Sequence, residues 1–135
     1  MFKQKMTVKM HHTDAAGIIF YARIYEMAQD AIEEYLNAHG LGINLQLTKK
    51  NYITPIVHSE ANYYKPMRVG DEISILISVE KCGKTSFTTN YDFLNKKEIM
   101  VAQVKTVNVC MRKLTGKKMN IPKPLRVELE KHLVG

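Results

Sequence analysis

The chain has no tryptophan, only two cysteines and four prolines in 135 residues, and fewer acids than bases, 13 against 20. Each shortage excludes something. Cys82 and Cys110 lack the paired spacing of a zinc or redox motif and are too few for a disulfide framework, so they read as reduced, buried thiols. No apolar run approaches the roughly eighteen residues of a membrane span, and Met1 to Lys5 has no apolar core of a signal peptide, so a cytoplasmic chain without a membrane span is expected. The glycine-rich dinucleotide fingerprint is missing, as are tandem repeats and low-complexity stretches. A net charge of +7 asks for an anionic partner. Without Trp, and without a helix-turn-helix, zinc-finger or aromatic RNA-binding signature, nucleic acid is disfavoured, whereas a phosphate-bearing small molecule meets the same charge.

With 45% hydrophobic and 24% charged residues, the chain suits one domain over 1–135. Met6, Val8 and Met10 alternate with Thr7, Lys9 and His11, which predicts a lead-in strand. From about Ala22, Ile24, Met27, Ala28, Ala31, Ile32, Tyr35 and Leu36 fall on one face of a helix that stops at Gly40. Leu41 to Asn51 has no clear pattern. Ile53 to Tyr64 reads as β with Pro55 at its start or at an irregular edge, and Pro66 and Gly70-Asp71 mark a turn. Ile73, Ile75, Ile77 and Val79 give the clearest strand. It is followed by a turn at Gly83-Lys84 and a hairpin partner carrying Phe87, Thr89, Tyr91 and Phe93. After Asn95-Lys96-Lys97, a long last strand is expected over Ile99 to Leu114, with a bulge near Ala102 to Lys105. Pro122 to Leu133 reads as a terminal helix with Pro124 in its first turn. The order predicts an α+β domain, one long helix against a face of an antiparallel sheet.

Chemistry concentrates in His12 to Tyr21, where a small-residue turn leads into the long helix. A carboxylate at Asp14 is placed near the helix entrance, whose unpaired N–H groups and partial positive charge can hold an anion or polarise a carbonyl. Asp is also a preferred helix cap, and capping alone would account for it. Gly17 can take a positive φ and lets another backbone or a ligand approach. The apolar run after it predicts a water-poor wall. His11 and His12 lack the spacing of a zinc pair, and no metal is expected.

These residues, together with Thr54-Pro55-Ile56-Val57, Pro66 to Gly70-Asp71 and Lys84-Thr85-Ser86-Phe87 in that order, resemble the hotdog-fold acyl-CoA thioesterases of the 4-hydroxybenzoyl-CoA thioesterase type. The resemblance runs from about Lys5 to Leu114. It implies an antiparallel sheet wrapped around one central helix, active sites at the interface of a homodimer, and further assembly to a homotetramer. It also implies hydrolysis of an acyl-CoA without a cofactor, coenzyme A being part of the substrate. Carried over by position, the catalytic carboxylate falls on Asp14, the polarising backbone N–H on Tyr21 and the turn glycine on Gly17. Gln29 stands where 4-hydroxybenzoyl-CoA enzymes carry an acid that meets the ring hydroxyl, and an amide can also bond a phenol. The Asp-Ala-Ala-Gly form is similar to that of 1,4-dihydroxy-2-naphthoyl-CoA thioesterases, so an aromatic acyl group is expected, with short aliphatic esters as the alternative. Lys84, Arg112 and Lys113 are candidates for the phosphates of coenzyme A, with hydrogen bonds from Thr85 and Ser86. A hydratase on the same scaffold, using His12, and a non-catalytic acyl-CoA-binding protein are the competing functions.

Overall fold

Four β-branched side chains, Ile73, Ile75, Ile77 and Val79, alternate along one strand and are each at most 2% exposed. A computed structural model describing residues 1–134 puts this strand inside a five-stranded antiparallel sheet. In chain order the elements are β1 (Phe2–Thr7), α1 (Arg23–Ala38), α2 (Ile43–Thr48), β2 (Tyr52–Ile53), β3 (Ile56–Tyr63), β4 (Glu72–Cys82), β5 (Ser86–Leu94), β6 (Met100–Val109), β7 (Met111–Arg112) and α3 (Lys123–Lys131). The sheet order is β1-β4-β5-β6-β3, and β2 and β7 form a separate two-stranded ribbon. One row of paired residues crosses the whole sheet, Phe2 to Ile77 to Tyr91 to Val104 to Ala61. All five therefore point to the same face.

That face holds α1. Ile24, Met27, Ala28, Ala31, Tyr35 and Leu36 are buried at helical spacing, and they share one core with the inward residues of β4, β5 and β6. Burying a side chain the size of Ile24, Met27 or Leu36 stabilises by about 1.5–3 kcal/mol, so this stripe fixes which way the helix lies. Helix α3 closes the far end: its Leu125 and Leu129 are buried, and the Arg126 guanidinium donates to the Gly83 carbonyl at 2.6 Å.

Several boundaries differ from those the sequence predicts. The first strand runs over Phe2–Thr7, not Met6 to Met10. Its outward lysines, Lys3 and Lys5, disguise an edge strand as a polar tail, while Met10 to His12 form a 3₁₀ turn that leaves Met10 79% exposed. The patternless segment contains α2. The expected long last strand breaks at Cys110 into β6 and β7, because β7 leaves the sheet to pair with β2. The register shift between Phe93 and Leu94 of β5 leaves Val101 of β6 unmatched between Met100 and Ala102, at the edge of the stretch where a bulge is expected. Two further shifts lie at Ile56/His58 and Val79/Lys81. Pro122 caps α3, and Pro124 sits in its first turn as expected.

Two histidines, His12 buried and His132 half-buried, resist protonation. His12 Nδ1 accepts the Lys9 N–H at 2.9 Å, and desolvation, then the neighbouring His11, lowers its pKa below 6.5. Burial likewise lowers His132, whose Nδ1 has no partner among the described residues. Below the unfolded pKa of 6.5 the unfolded chain binds protons that the folded chain refuses, so the stability these groups contribute is present above that pH and lost as pH falls. The urea midpoint is expected to be flat above neutrality and to drop as pH falls below the ordinary histidine value, with a shallower drop in His132→Phe. A midpoint that rises on acidification through this window contradicts the account.

Candidate active site

Residues 12–20 form a tight antiparallel turn. Phe20 N–H donates to the His12 carbonyl at 2.9 Å and Asp14 N–H to the Ile18 carbonyl at 3.1 Å, with Thr13 bridged to Ile19. At its tip Gly17 takes φ +79°, and its N–H donates to the Asp14 carbonyl at 3.0 Å. The space around Gly17 is open where a Cβ would stand, so its requirement is conformational and not steric. Asp14 Oδ1 accepts the Ala16 N–H at 2.8 Å, an Asx turn that fixes the carboxylate direction and leaves the other oxygen free.

Asp14 does not cap α1. The cap position is Ala22, with no side-chain cap bond. The turn instead delivers the chain to a bare helix entrance, and Tyr21 immediately before it makes no hydrogen bond through its N–H among the described residues. The Tyr21 carbonyl, on the other side of that residue, accepts a hydrogen bond from the Tyr63 hydroxyl of β3. Tyr63 thus anchors the residue whose N–H is free. Nothing local marks it in the sequence, since the contact joins positions 42 apart. The turn itself is tied to the β3–β4 loop, as Ile19 N–H donates to the Met67 carbonyl at 2.9 Å and Ile18 bridges to Arg68.

The water-poor wall is only half present. Ile19 is buried at 7%, but Phe20 is 39% and Tyr21 69% exposed, and Asp14 itself is exposed. Neither sizeable concavity includes Asp14. A broad groove of ≈ 890 Å³ runs along β1, past His11, His12, Asp30 and Glu34. A narrower cavity of ≈ 260 Å³ lies between α1, α2, α3 and the sheet. Gln29 lines the second, with its amide donating to Glu33 Oε2 at 2.9 Å.

The five remaining candidates come together, away from Asp14. The Lys84 carbonyl accepts from Ile121 N–H at 2.9 Å and the Thr85 carbonyl from Cys110 N–H at 2.7 Å. Ser86 pairs with Val109, and Arg112 with Tyr52. Lys113 N–H donates to Asn51 at 3.0 Å, which brings Lys49 and Lys50 alongside. No acid occurs in 35–59 or 99–127, and Lys84, Arg112, Lys113, Lys117, Lys118 and Lys123 take part in no ion pair among the described residues. This basic end lies at the Ile56 end of β3, and the catalytic candidates lie at the Tyr63 end. At about 3.3 Å per residue the strand separates them by roughly 23 Å. Within the chain, then, Asp14, Gly17 and Tyr21 form one group and Lys84, Thr85, Ser86, Arg112 and Lys113 another.

Residues 8–129 match the family model described as the thioesterase-like superfamily. The 1,4-dihydroxy-2-naphthoyl-CoA hydrolase of Nostoc punctiforme is 31% identical over 121 residues, covering 90% of this chain and 81% of that protein. Among solved structures, Slr0204, a 1,4-dihydroxy-2-naphthoyl-CoA thioesterase from Synechocystis, superposes with a TM-score of 0.89 at 21% identity, over 95% of this chain and 94% of that one. The gentisyl-coenzyme A thioesterase BH1999 superposes with a TM-score of 0.83 at 25% identity, over 96% and 99%. The wrapped-helix α+β architecture is therefore the hotdog fold.

Gly17→Ala tests the turn directly. Forcing a side chain into the left-handed region at an otherwise open position costs on the order of 1 kcal/mol, so a urea midpoint lowered by that amount with an unchanged far-ultraviolet spectrum is expected. An unchanged midpoint would mean the turn can take another conformation.

Proposed function

The chain belongs to the thioesterase-like superfamily, and from that premise we propose how it works as an acyl-CoA thioesterase: Asp14 drives hydrolysis of an aromatic acyl-CoA while the Tyr21 N–H and the α1 entrance hold the carbonyl oxygen. The observation that carries this reading is one juxtaposition. A fixed, exposed carboxylate and an unbonded peptide N–H sit on the same short turn, at the start of an uncapped helix. Hydrolysis of a thioester needs a nucleophile at the carbonyl carbon and a positive field where negative charge grows on oxygen. Asp14 either attacks the carbon to give a mixed anhydride or takes a proton from the attacking water. In both routes coenzyme A leaves as the thiol and the acyl group leaves as the free acid. The preference for an aromatic acyl group is supported by the naphthoyl and gentisyl esters named for the relatives and by the largely apolar lining of the narrower cavity, beside which Gln29 stands.

The working unit in this proposal is a homodimer paired through β3, with a homotetramer built from two such pairs. β3 is a sheet edge hydrogen-bonded on one side only, and Ile56 (48%), Val57 (59%) and Tyr63 (43%) are exposed along it. An unprotected edge of this kind is a template for another strand. A two-fold axis through the middle of β3 sets the Tyr63 end of one strand beside the Ile56 end of the other. It thereby brings the basic end of one protomer to the Asp14 turn of the other. Lys84, Arg112 and Lys113 then face the phosphates of a coenzyme A whose thioester lies at the other chain's acid, and Thr85 and Ser86 are at hand for its polar groups. Phosphate charge held at an exposed patch is favourable without the penalty of burying it.

Asp14→Asn keeps size and the Ala16 bond but removes the charge. It is expected to leave the assembly intact and to lower thiol release from a hydroxynaphthoyl-CoA ester by about 10²–10⁴-fold. A thiol-detection assay over benzoyl, hydroxynaphthoyl and short aliphatic esters reads both this loss and the acyl preference. Undiminished turnover would take Asp14 out of the mechanism.

The pairing makes a second prediction. Arg112→Glu should raise KM for the CoA ester more than it lowers kcat. Refolding it together with Asp14→Asn should give, at low ester concentration, more activity than either variant shows alone, because a mixed dimer holds one site with both an intact acid and an intact basic end. No recovery on mixing would mean that both residues act within one chain.

A further inference from the structure

We infer that the ≈ 260 Å³ cavity receives an acyl group bearing a hydroxyl and that the Thr89 side chain is what reads that hydroxyl, an assignment that rests on the thioester-hydrolase reading above. A cavity of about 150 Å³ is enough to hold benzene. The space here suits one ring or two fused rings. Its walls are apolar, formed by Ile32 and Leu36 of α1, Phe87 of β5, and Leu125 and Leu129 of α3.

The floor is different. On a sheet face that elsewhere presents Ile75, Ile77 and Phe93 to the core, β5 and β6 place Thr89, Tyr91 and Asn108 under the cavity. Most polar groups around it are already engaged. The Asn108 amide donates to the Thr54 carbonyl at 2.8 Å, and its oxygen accepts from Thr106 at 3.4 Å. Gln46 accepts from the Thr54 hydroxyl at 3.1 Å, and Gln29 donates to Glu33. Thr89 stands apart: the residue is 1% exposed and its hydroxyl has no partner among the described residues. A buried hydroxyl left without a bond destabilises the fold, and valine would fill the same shape without that cost. A ligand group that can both donate and accept removes the penalty on binding.

The cavity also reaches the right end of the sheet. Pro55 and Ile56, at the start of β3, line it, Ile56 is 48% exposed, and this is the end of the strand that the proposed two-fold pairing sets beside the partner's catalytic turn. A ring inserted toward Thr89 from the Ile56 side leaves its thioester at that end, facing the turn. Thr89 touches the far side of the acyl group and not the reacting atoms, so it determines specificity and has no part in bond breaking.

The test measures equilibrium binding of free naphthoate and free hydroxynaphthoate to the full-length protein by calorimetry, with thiol release from the two corresponding CoA esters measured in parallel. The expected result is that hydroxynaphthoate binds roughly tenfold more tightly, the worth of one net hydrogen bond. Thr89→Val should abolish that preference with an unchanged or raised unfolding midpoint, and Thr89→Ser, which keeps the hydroxyl, should retain it. A preference that survives in Thr89→Val, a native protein that favours unsubstituted naphthoate, or failure of both acids to bind overturns the assignment whatever the esters do. If the acids bind as expected but no thiol appears from either ester, the cavity assignment stands and the hydrolase reading falls.

Discussion

The burial of one stripe of α1 against the concave sheet is the constraint on which the site depends. With Ile24, Met27, Ala28 and Ala31 locked into the core, the first turn of the helix has one position and one direction. The preceding turn is then held from two sides, by main-chain bonds to Met67 and by the Tyr63 hydroxyl on the Tyr21 carbonyl. A carboxylate and a free N–H on that turn are fixed relative to each other by these bonds and by the Ala16 N–H that orients the carboxylate. Such preorganisation is what makes a dipole useful to a transition state, because no reorganisation is needed when charge develops.

The same architecture keeps the two groups of candidate residues apart within a single chain. Asp14 is exposed, while the basic residues suited to phosphate lie a strand's length away. Charge is sorted along the molecule, with long acid-free stretches at one end. A single chain gains nothing in stability from that sorting, since like charges repel. In the homodimer proposed above, strand pairing through β3 turns the separation into complementarity, and it also covers an edge that would otherwise invite unspecific association.

What could be read from the sequence followed from how local each signal was. β4 and β5 were legible because a buried strand facing one core keeps strict alternation, and α1 because its apolar stripe is long. β1 was misplaced, since an edge strand turns lysines outward and looks like a tail. The split of the last strand at Cys110 carries no glycine or proline to announce it. It reflects a choice between two sheets made by tertiary pairing with Tyr52-Ile53. At the candidate site, the turn built by Asp14 and Gly17 was legible because its side-chain bond and its positive-φ glycine act within four residues of each other. Tyr63 was not, because its role exists only when β3 meets the helix entrance. Gln29 was placed correctly on the helix, but its amide turns to Glu33.

The cavity floor shows the same limit and gives it a physical meaning. Threonines alternating along a strand are ordinary, because a β-branched hydroxyl side chain suits a pleated surface whichever face it occupies. Only the structure shows that Thr89 faces inward opposite Thr106, with Asn108 two residues further along β6. In a core built for stability alone these positions would be apolar, since each polar atom there must find a partner or weaken the fold. Thr106 and Asn108 satisfy each other and a backbone carbonyl, and Thr89 does not. An interior that is apolar on its walls, polar on its floor and one hydrogen bond short is organised around a guest that brings both a hydrophobic body and a hydroxyl.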